Sequence, residues 1–171
     1  MKATRYCAFF VCIAMVALLL LAGCASVISR RVLKEVDQTL SFEQLLENPE
    51  VYKGKTVLLG GNIIETQNFS NRTLIIVLQH PLGYRKKPIS GDVSKGRFII
   101  SVPGFLDPVI CRPGRKITVV GSVVGKEVRP LGEREYTYPV IAKRELHIWP
   151  PESRYGTEPR VRFGVGMGMR F

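Results

Sequence analysis

Histidine, cysteine and acid are scarce in this chain of 171 residues. His80 and His147 are its only histidines, and three of its four cysteines fall within the first 24 residues. None of them stands in the short paired spacings that hold zinc, so no metal site is expected. A Gly-x-Ser-x-Gly elbow is missing, and Ser90, Ser94 and Ser101 have no base assigned to them. The glycines around Gly60 and Gly121 precede no helix, which removes a phosphate-cradling loop. Asp107 has no carboxylate or histidine at a spacing that acid–base chemistry demands. The expectation is therefore no enzyme and no catalytic residue. Acidic residues number 14 against 25 Lys and Arg, a net charge of +11, which makes anionic surfaces and ligands the natural partners. The length allows one domain with tails. A content of 46% apolar and 23% charged residues argues against wholesale disorder.

What is present begins at the N-terminus. Lys2 and Arg5 precede fifteen uncharged residues from Cys7 to Leu21, followed by Ala22-Gly23-Cys24. A basic start, an apolar stretch and small residues at its end form a signal peptide. A single membrane-spanning anchor is the alternative, although the run barely approaches the ~20 residues that cross a hydrocarbon core. Leu21-Ala22-Gly23-Cys24 resembles the lipobox of bacterial lipoproteins. The resemblance implies that residues 1–23 are removed and that Cys24 carries a thioether-linked diacylglycerol and an N-acyl chain. No other cofactor is expected. Each buried CH₂ contributes about 0.8 kcal/mol, so two or three chains on one residue make the anchor permanent. Ala25 and Ser26 follow, without the Asp that retains enterobacterial lipoproteins in the inner membrane. By that analogy the protein is anchored in the outer membrane and faces the periplasm. Cys111 is left as a lone thiol, expected to be buried as a small core residue.

Residues 24–40, with Arg30, Arg31 and Lys34, read as a lipidated tether near the headgroups or as a solvated linker. Ser41 is placed to cap one short helix with Phe42, Leu45 and Leu46 on one face, ended by Asn48-Pro49. Five β-branched, apolar runs follow at 56–65, 73–79, 97–102, 116–124 and 138–148. With glycines inside or at their ends, they predict a mainly β domain over 41–150. The architecture expected is a small five-stranded OB-like barrel, with an open sandwich as the alternative. Residues 80–95 form a long polar loop. In the tail, 151–171, Val161, Phe163, Val165, Met167, Met169 and Phe171 alternate with Gly and Arg. The alternation suits a last strand of an outer-membrane barrel, or a glycine-rich tail that is disordered or adds an edge strand; no core role is assigned to it.

Several stretches together resemble one family. They are Asn48-Pro49 through Tyr52-Lys53-Gly54-Lys55 with the Gly60-Gly61 strand, the segment Gly104-Phe105-Leu106-Asp107-Pro108, and the closing Leu146-His147-Ile148-Trp149. With the lipobox in front they resemble the Slp family of outer-membrane lipoproteins, associated with starvation and stationary phase. The Gly104–Pro108 segment is the most specific of these, and the tail has no match in the pattern. Physically that segment reads as a corner, with Phe105 and Leu106 tucked into the barrel end and Asp107 turning the chain before Pro108. The basic surplus gathers at Arg85, Lys86 and Lys87 on the long loop and at Arg112, Arg115 and Lys116 after Cys111. These residues are candidates for contact with anionic lipid or lipopolysaccharide phosphate, or for a solvated surface. Nucleic acid is not an expected partner, because export puts the domain where little is found. The function expected is a non-enzymatic, lipid-anchored module for binding or envelope maintenance under stress or starvation. The alternatives are a structural docking partner of an outer-membrane protein complex and, third, an envelope enzyme with an unrecognised site.

Overall fold

β-Branched runs separated by Gly, Pro and Asn leave the backbone little choice but extended strands joined by turns. The computed structural model describes residues 27–151 and arranges them as five strands: β1 (Thr56–Asn68), β2 (Arg72–Gln79), β3 (Arg97–Pro103), β4 (Lys116–Leu131) and β5 (Arg134–Ile148). The expected signal peptide at 1–23, the expected lipidation site Cys24 and the alternating tail lie outside the described residues. The strands hydrogen-bond in the order β1-β2-β3-β5-β4, and β4 pairs back onto β1 to close a barrel. All pairings are antiparallel except β3 with β5. The expected mainly β, OB-like barrel is what the chain forms.

Alternate residues of each strand fill the interior. Leu59, Ile75, Val77, Phe98, Ile100 and Val119 are buried in one cluster. One end is plugged by α2 (Phe42–Glu47). Its Ser41 cap and Gln44 form a reciprocal capping box, which satisfies two otherwise orphaned amides. Phe42 meets Phe98 edge-on at 6.0 Å between ring centroids. Leu106 and the buried Cys111 pack onto the same core from the loop after β3. Phe105, expected to tuck in beside Leu106, is 71% exposed. Asp107 turns the chain: its Oδ1 accepts from the Val109 amide at 2.8 Å.

Two regions depart from the sequence expectation. The last two strands do not stop near 124 and 138; they run on as a hairpin turned at Gly132. Lys126, Glu127, Arg129, Pro130, Glu133 and Arg134 gave that stretch the composition of a loop. Tertiary packing supplies what composition did not. The hairpin curls over the outer face of β2 and β3, where Tyr138 packs with Leu74, Ile76 and Ile99, and Arg129 Nη1 donates to Gln67 Oε1 at 2.9 Å. This second cluster explains why β2 is buried on both faces.

The segment read as a tether is also built into the domain from residue 28 onward. Ile28 is fully buried, α1 (Arg30–Leu33) is a one-turn helix in addition to the one expected, and the Asp37 amide donates to the Thr56 carbonyl at 2.9 Å. Asp37 accepts hydrogen bonds from Thr39 and pairs with Lys55 at 3.1 Å, contacts that lower its carboxyl from 3.8 to about 2.

Candidate functional site

The outer face of β1, β4 and β5 carries the site. Register places Gly60, Thr118 and His147 in one row across these strands, with Leu58, Val120 and Glu145 in the next. Gly60 matters because the long loop lies directly upon it. A Cβ there would fall 2.6 Å from Leu82 Cδ2 and 2.9 Å from the Ile117 carbonyl oxygen. The His80 amide donates to the Gly60 carbonyl at 2.9 Å, and Leu82 bridges Pro88 across the loop.

At the loop apex Arg85 and Lys86 adopt φ of 55° and 62°. Two consecutive non-glycine residues in the left-handed region are costly, of order 1 kcal/mol or more each, and such strain concentrates where a loop is used. Thr118 Oγ1 fixes the apex by donating to the Lys86 carbonyl at 2.8 Å.

Trp149 joins this loop to the second basic cluster. Its Nε1 donates to Thr118 Oγ1 at 2.9 Å, and its amide donates to the Lys116 carbonyl at 2.9 Å. Its own carbonyl accepts from Arg115 Nε at 2.9 Å and Nη2 at 2.6 Å. Lys87 Nζ stands 5.8 Å from the indole centroid, and the His147 ring meets the indole edge-on at 4.6 Å. Burial, with a smaller contribution from the nearby Arg85 charge, lowers the His147 pKa below its ordinary value, favouring neutral imidazole.

Arg112 and Arg115 are the outer positions of a tight turn with Pro113 and Gly114 at its centre. Gly114 has φ of +82°, which a type II turn requires there. The turn is clamped onto β1: the Gly114 amide donates to the Ile63 carbonyl at 2.8 Å, and the Ile63 amide to the Arg115 carbonyl at 2.9 Å.

Beside it lies a cavity of about 400 Å³ bordered by Asn62, Ser90, Arg112, Arg115 and Lys116, with no carboxylate among its described lining residues. Lys116 is itself buried, its ammonium donating to Ser90 Oγ. Asn62 Oδ1 is a buried oxygen with no hydrogen-bond partner among the described residues, while Nδ2 lies 3.4 Å from His80 Nε2. An unpaired amide atom in the wall of a cationic cavity marks a place where a ligand or water would be held. A second cavity of about 440 Å³, between the N-terminal segment and β1, has Leu33, Val36 and Leu58 on its wall and Lys86 as its one cation among the described residues.

The structure thus assigns different situations to the six basic candidates. Arg85, Lys86 and Lys87 share the loop over β1, and Arg115 and Lys116 meet them at Trp149. Arg112 is exposed at the mouth of the smaller cavity. Sequence reasoning missed Trp149 as the organiser. Its only signal was a single tryptophan closing the last strand. Asn62 carried no signal at all. Among the described residues no group of three His, Cys, Asp or Glu is placed to hold a metal, and no described helix is long and apolar enough to cross a membrane.

Comparison with known proteins supplies the setting. The family model described as "Outer membrane lipoprotein Slp family" matches residues 21–165. The chain belongs to the Slp family of outer membrane lipoproteins. The Slp match takes in Cys24 and extends into the tail. Among curated relatives, the chain is 38% identical over 102 residues to an uncharacterized protein of Haemophilus influenzae, covering 59% of this chain and 55% of that protein. It is 30% identical over 131 residues to the uncharacterized lipoprotein YeaY of Escherichia coli, covering 77% of this chain and 67% of YeaY. It is 27% identical over 131 residues to the outer membrane protein Slp of the same organism, covering 76% and 69%. The chain therefore spans between about half and two thirds of the length of these relatives.

Proposed function

We propose that this Slp-family protein is a non-enzymatic binding module. Acyl chains on Cys24 hold it to the periplasmic face of the outer membrane, and it engages phosphate groups of envelope lipid or lipopolysaccharide through the cationic site around Trp149. The carrying observation is the convergence of two basic segments, 85–87 and 112–116, on one tryptophan beside a cavity with no described carboxylate in its wall. Arg offers phosphate paired N–H donors, and Lys a point charge. The left-handed Arg85–Lys86 apex supports the same reading, since strain that adds no packing is kept where a loop has work to do.

Nucleic acid fits poorly. OB folds bind oligonucleotides on the face of strands 2 and 3, and here the chain's own hairpin covers that face.

A second reading, docking onto an envelope protein complex, draws on Phe69, Phe105, Val109 and Ile110. All four are exposed where the β1–β2 turn meets the loop after β3.

Two measurements test the main reading. Cys24→Ser should abolish palmitate labelling and leave unprocessed precursor; continued labelling refutes the anchor. Arg112→Gln should weaken binding of phosphatidylglycerol roughly tenfold, the loss of one charge-assisted hydrogen bond of about 1.5 kcal/mol, and leave thermal stability unchanged. Unchanged affinity would remove the site from the reading, and co-purification of a stoichiometric protein partner would favour docking.

A further inference from the structure

The start of the described chain is pinned to the barrel wall, and the pin is close to Cys24. The Ser29 amide donates to Glu145 Oε1 and Oε2 at 2.9 and 3.1 Å, and Ser29 Oγ donates to Glu145 Oε2 at 2.8 Å. Ile28, next to it, is fully buried. Beyond α1 the segment is fastened again: Arg144 Nη1 pairs with Glu35 Oε2 at 2.6 Å. Only Ala25, Ser26 and Val27 lie between Cys24 and Ile28. However these are arranged, they cannot carry Ile28 more than roughly 14 Å from Cys24, at about 3.3–3.6 Å per residue. A domain of this size is roughly 35 Å across. An acyl group on Cys24 in the bilayer therefore leaves only one side of the barrel within reach of the lipid surface.

That side is basic. The strap is fastened to Glu145 at Ser29 and to Arg144 at Glu35, on the stretch of β5 that carries Lys143, and Arg30, Arg31 and Lys34 lie in the chain between those two fastenings. These three and Lys143 are exposed and make no ion pair among the described residues. The same wall continues along β5 through Glu145 and His147 to Trp149.

We infer that the β4–β5 wall under the N-terminal strap lies against the membrane, with Arg30, Arg31, Lys34 and Lys143 on the phosphates of anionic lipid headgroups. This rests on the acylation of Cys24 proposed above. It adds a fixed orientation: the strap sets which face meets the lipid, and the Trp149 site lies on the side turned toward headgroup phosphates. Each cation near such a surface strengthens attachment about fivefold.

The test uses full-length acylated protein in vesicles of phosphatidylcholine and phosphatidylglycerol, with a fluorophore on Lys143→Cys or on Glu133→Cys, exposed at the tip of the β4–β5 hairpin and ten residues before Lys143 in the chain. Cys111 is buried and does not compete for label. A lipid-borne quencher should quench the probe at 143 more strongly than the probe at 133. Glu145→Gln, which weakens the strap while leaving the acyl group in place, should reduce that contrast, as should vesicles of phosphatidylcholine alone. Equal quenching at the two positions overturns the orientation, and a contrast untouched by removing phosphatidylglycerol overturns the headgroup contact. Intact mass of the same samples separates the two proposals. A protein lacking the acyl mass contradicts the anchor itself, whereas acylated protein with equal quenching contradicts only the orientation.

Discussion

Over β2 and β3 the outward row of Leu74, Ile76 and Ile99 is sealed by Tyr138 and Tyr136 of the chain's own hairpin. Over β1, β4 and β5 the outward residues Thr118, Glu145 and His147 are polar, beside Leu58 and Val120, and the cover over them is held by hydrogen bonds to Ser29, Lys86 and Trp149. Both faces belong to one barrel, and both are covered by segments that a minimal five-stranded barrel does not need. The apolar cover gains stability in proportion to the area it removes from water. A polar cover nets only about 1 kcal/mol per hydrogen bond, because water competes for the same groups. The first face is thereby built for permanence. The second keeps charge and strain at its surface and a buried, unpaired amide oxygen beneath it, which suits a binding face.

The contrast predicts unequal responses to mutation. Tyr138→Ala should be the most damaging, since Tyr138 is 3% exposed and stacks edge-on with Tyr136 at 4.7 Å. A loss of about 3–5 kcal/mol in chemical denaturation is expected, as for other buried aromatic truncations. A loss under 1 kcal/mol would show that the hairpin is not a sealing element.

Lys86→Gly should act oppositely on the two properties. Relief of the left-handed strain should raise stability by about 1 kcal/mol, while phosphatidylglycerol affinity falls with the lost charge. Thermal melts and lipid titration on the same sample check both signs.

The smallest effect concerns the strap. The Asp37 carboxyl is held at about 2 against its ordinary 3.8, chiefly by the Thr39 hydroxyl and then by Lys55. Its stabilising contribution is thus complete above about pH 4 and lost as pH falls toward 2. Wild type and Asp37→Asn should differ at neutral pH and converge in acid melts; a constant gap would assign the interaction elsewhere.

Much of the fold was legible along the chain because it depends on neighbours in sequence. Ser41 with Gln44 three residues on announces a helix start, and β-branched alternation announces the five strands, as found. The hairpin extension was not legible, since Lys126 to Glu135 is polar and becomes strand by pairing within a hairpin that Tyr136 and Tyr138 hold on β2 and β3. Lys116 reads as a surface cation, yet it is buried with Ser90 as its hydroxyl partner, because it shares the outer face of β4 with Thr118 and the 80–95 loop folds onto that face. Phe105 reads as a core residue and is exposed, because Leu106 takes the inward position at that corner.

By itself the sequence determined the number of strands, the capped helix, the cationic surplus and the family, because periodicity, caps and short motifs are local properties of the chain. Only the tertiary structure decided which basic residues meet at Trp149, which outer face is sealed and where the strap is fastened. Those depend on strand order and register, which bring residues more than a hundred positions apart, such as Ser29 and Glu145, within a hydrogen bond of each other.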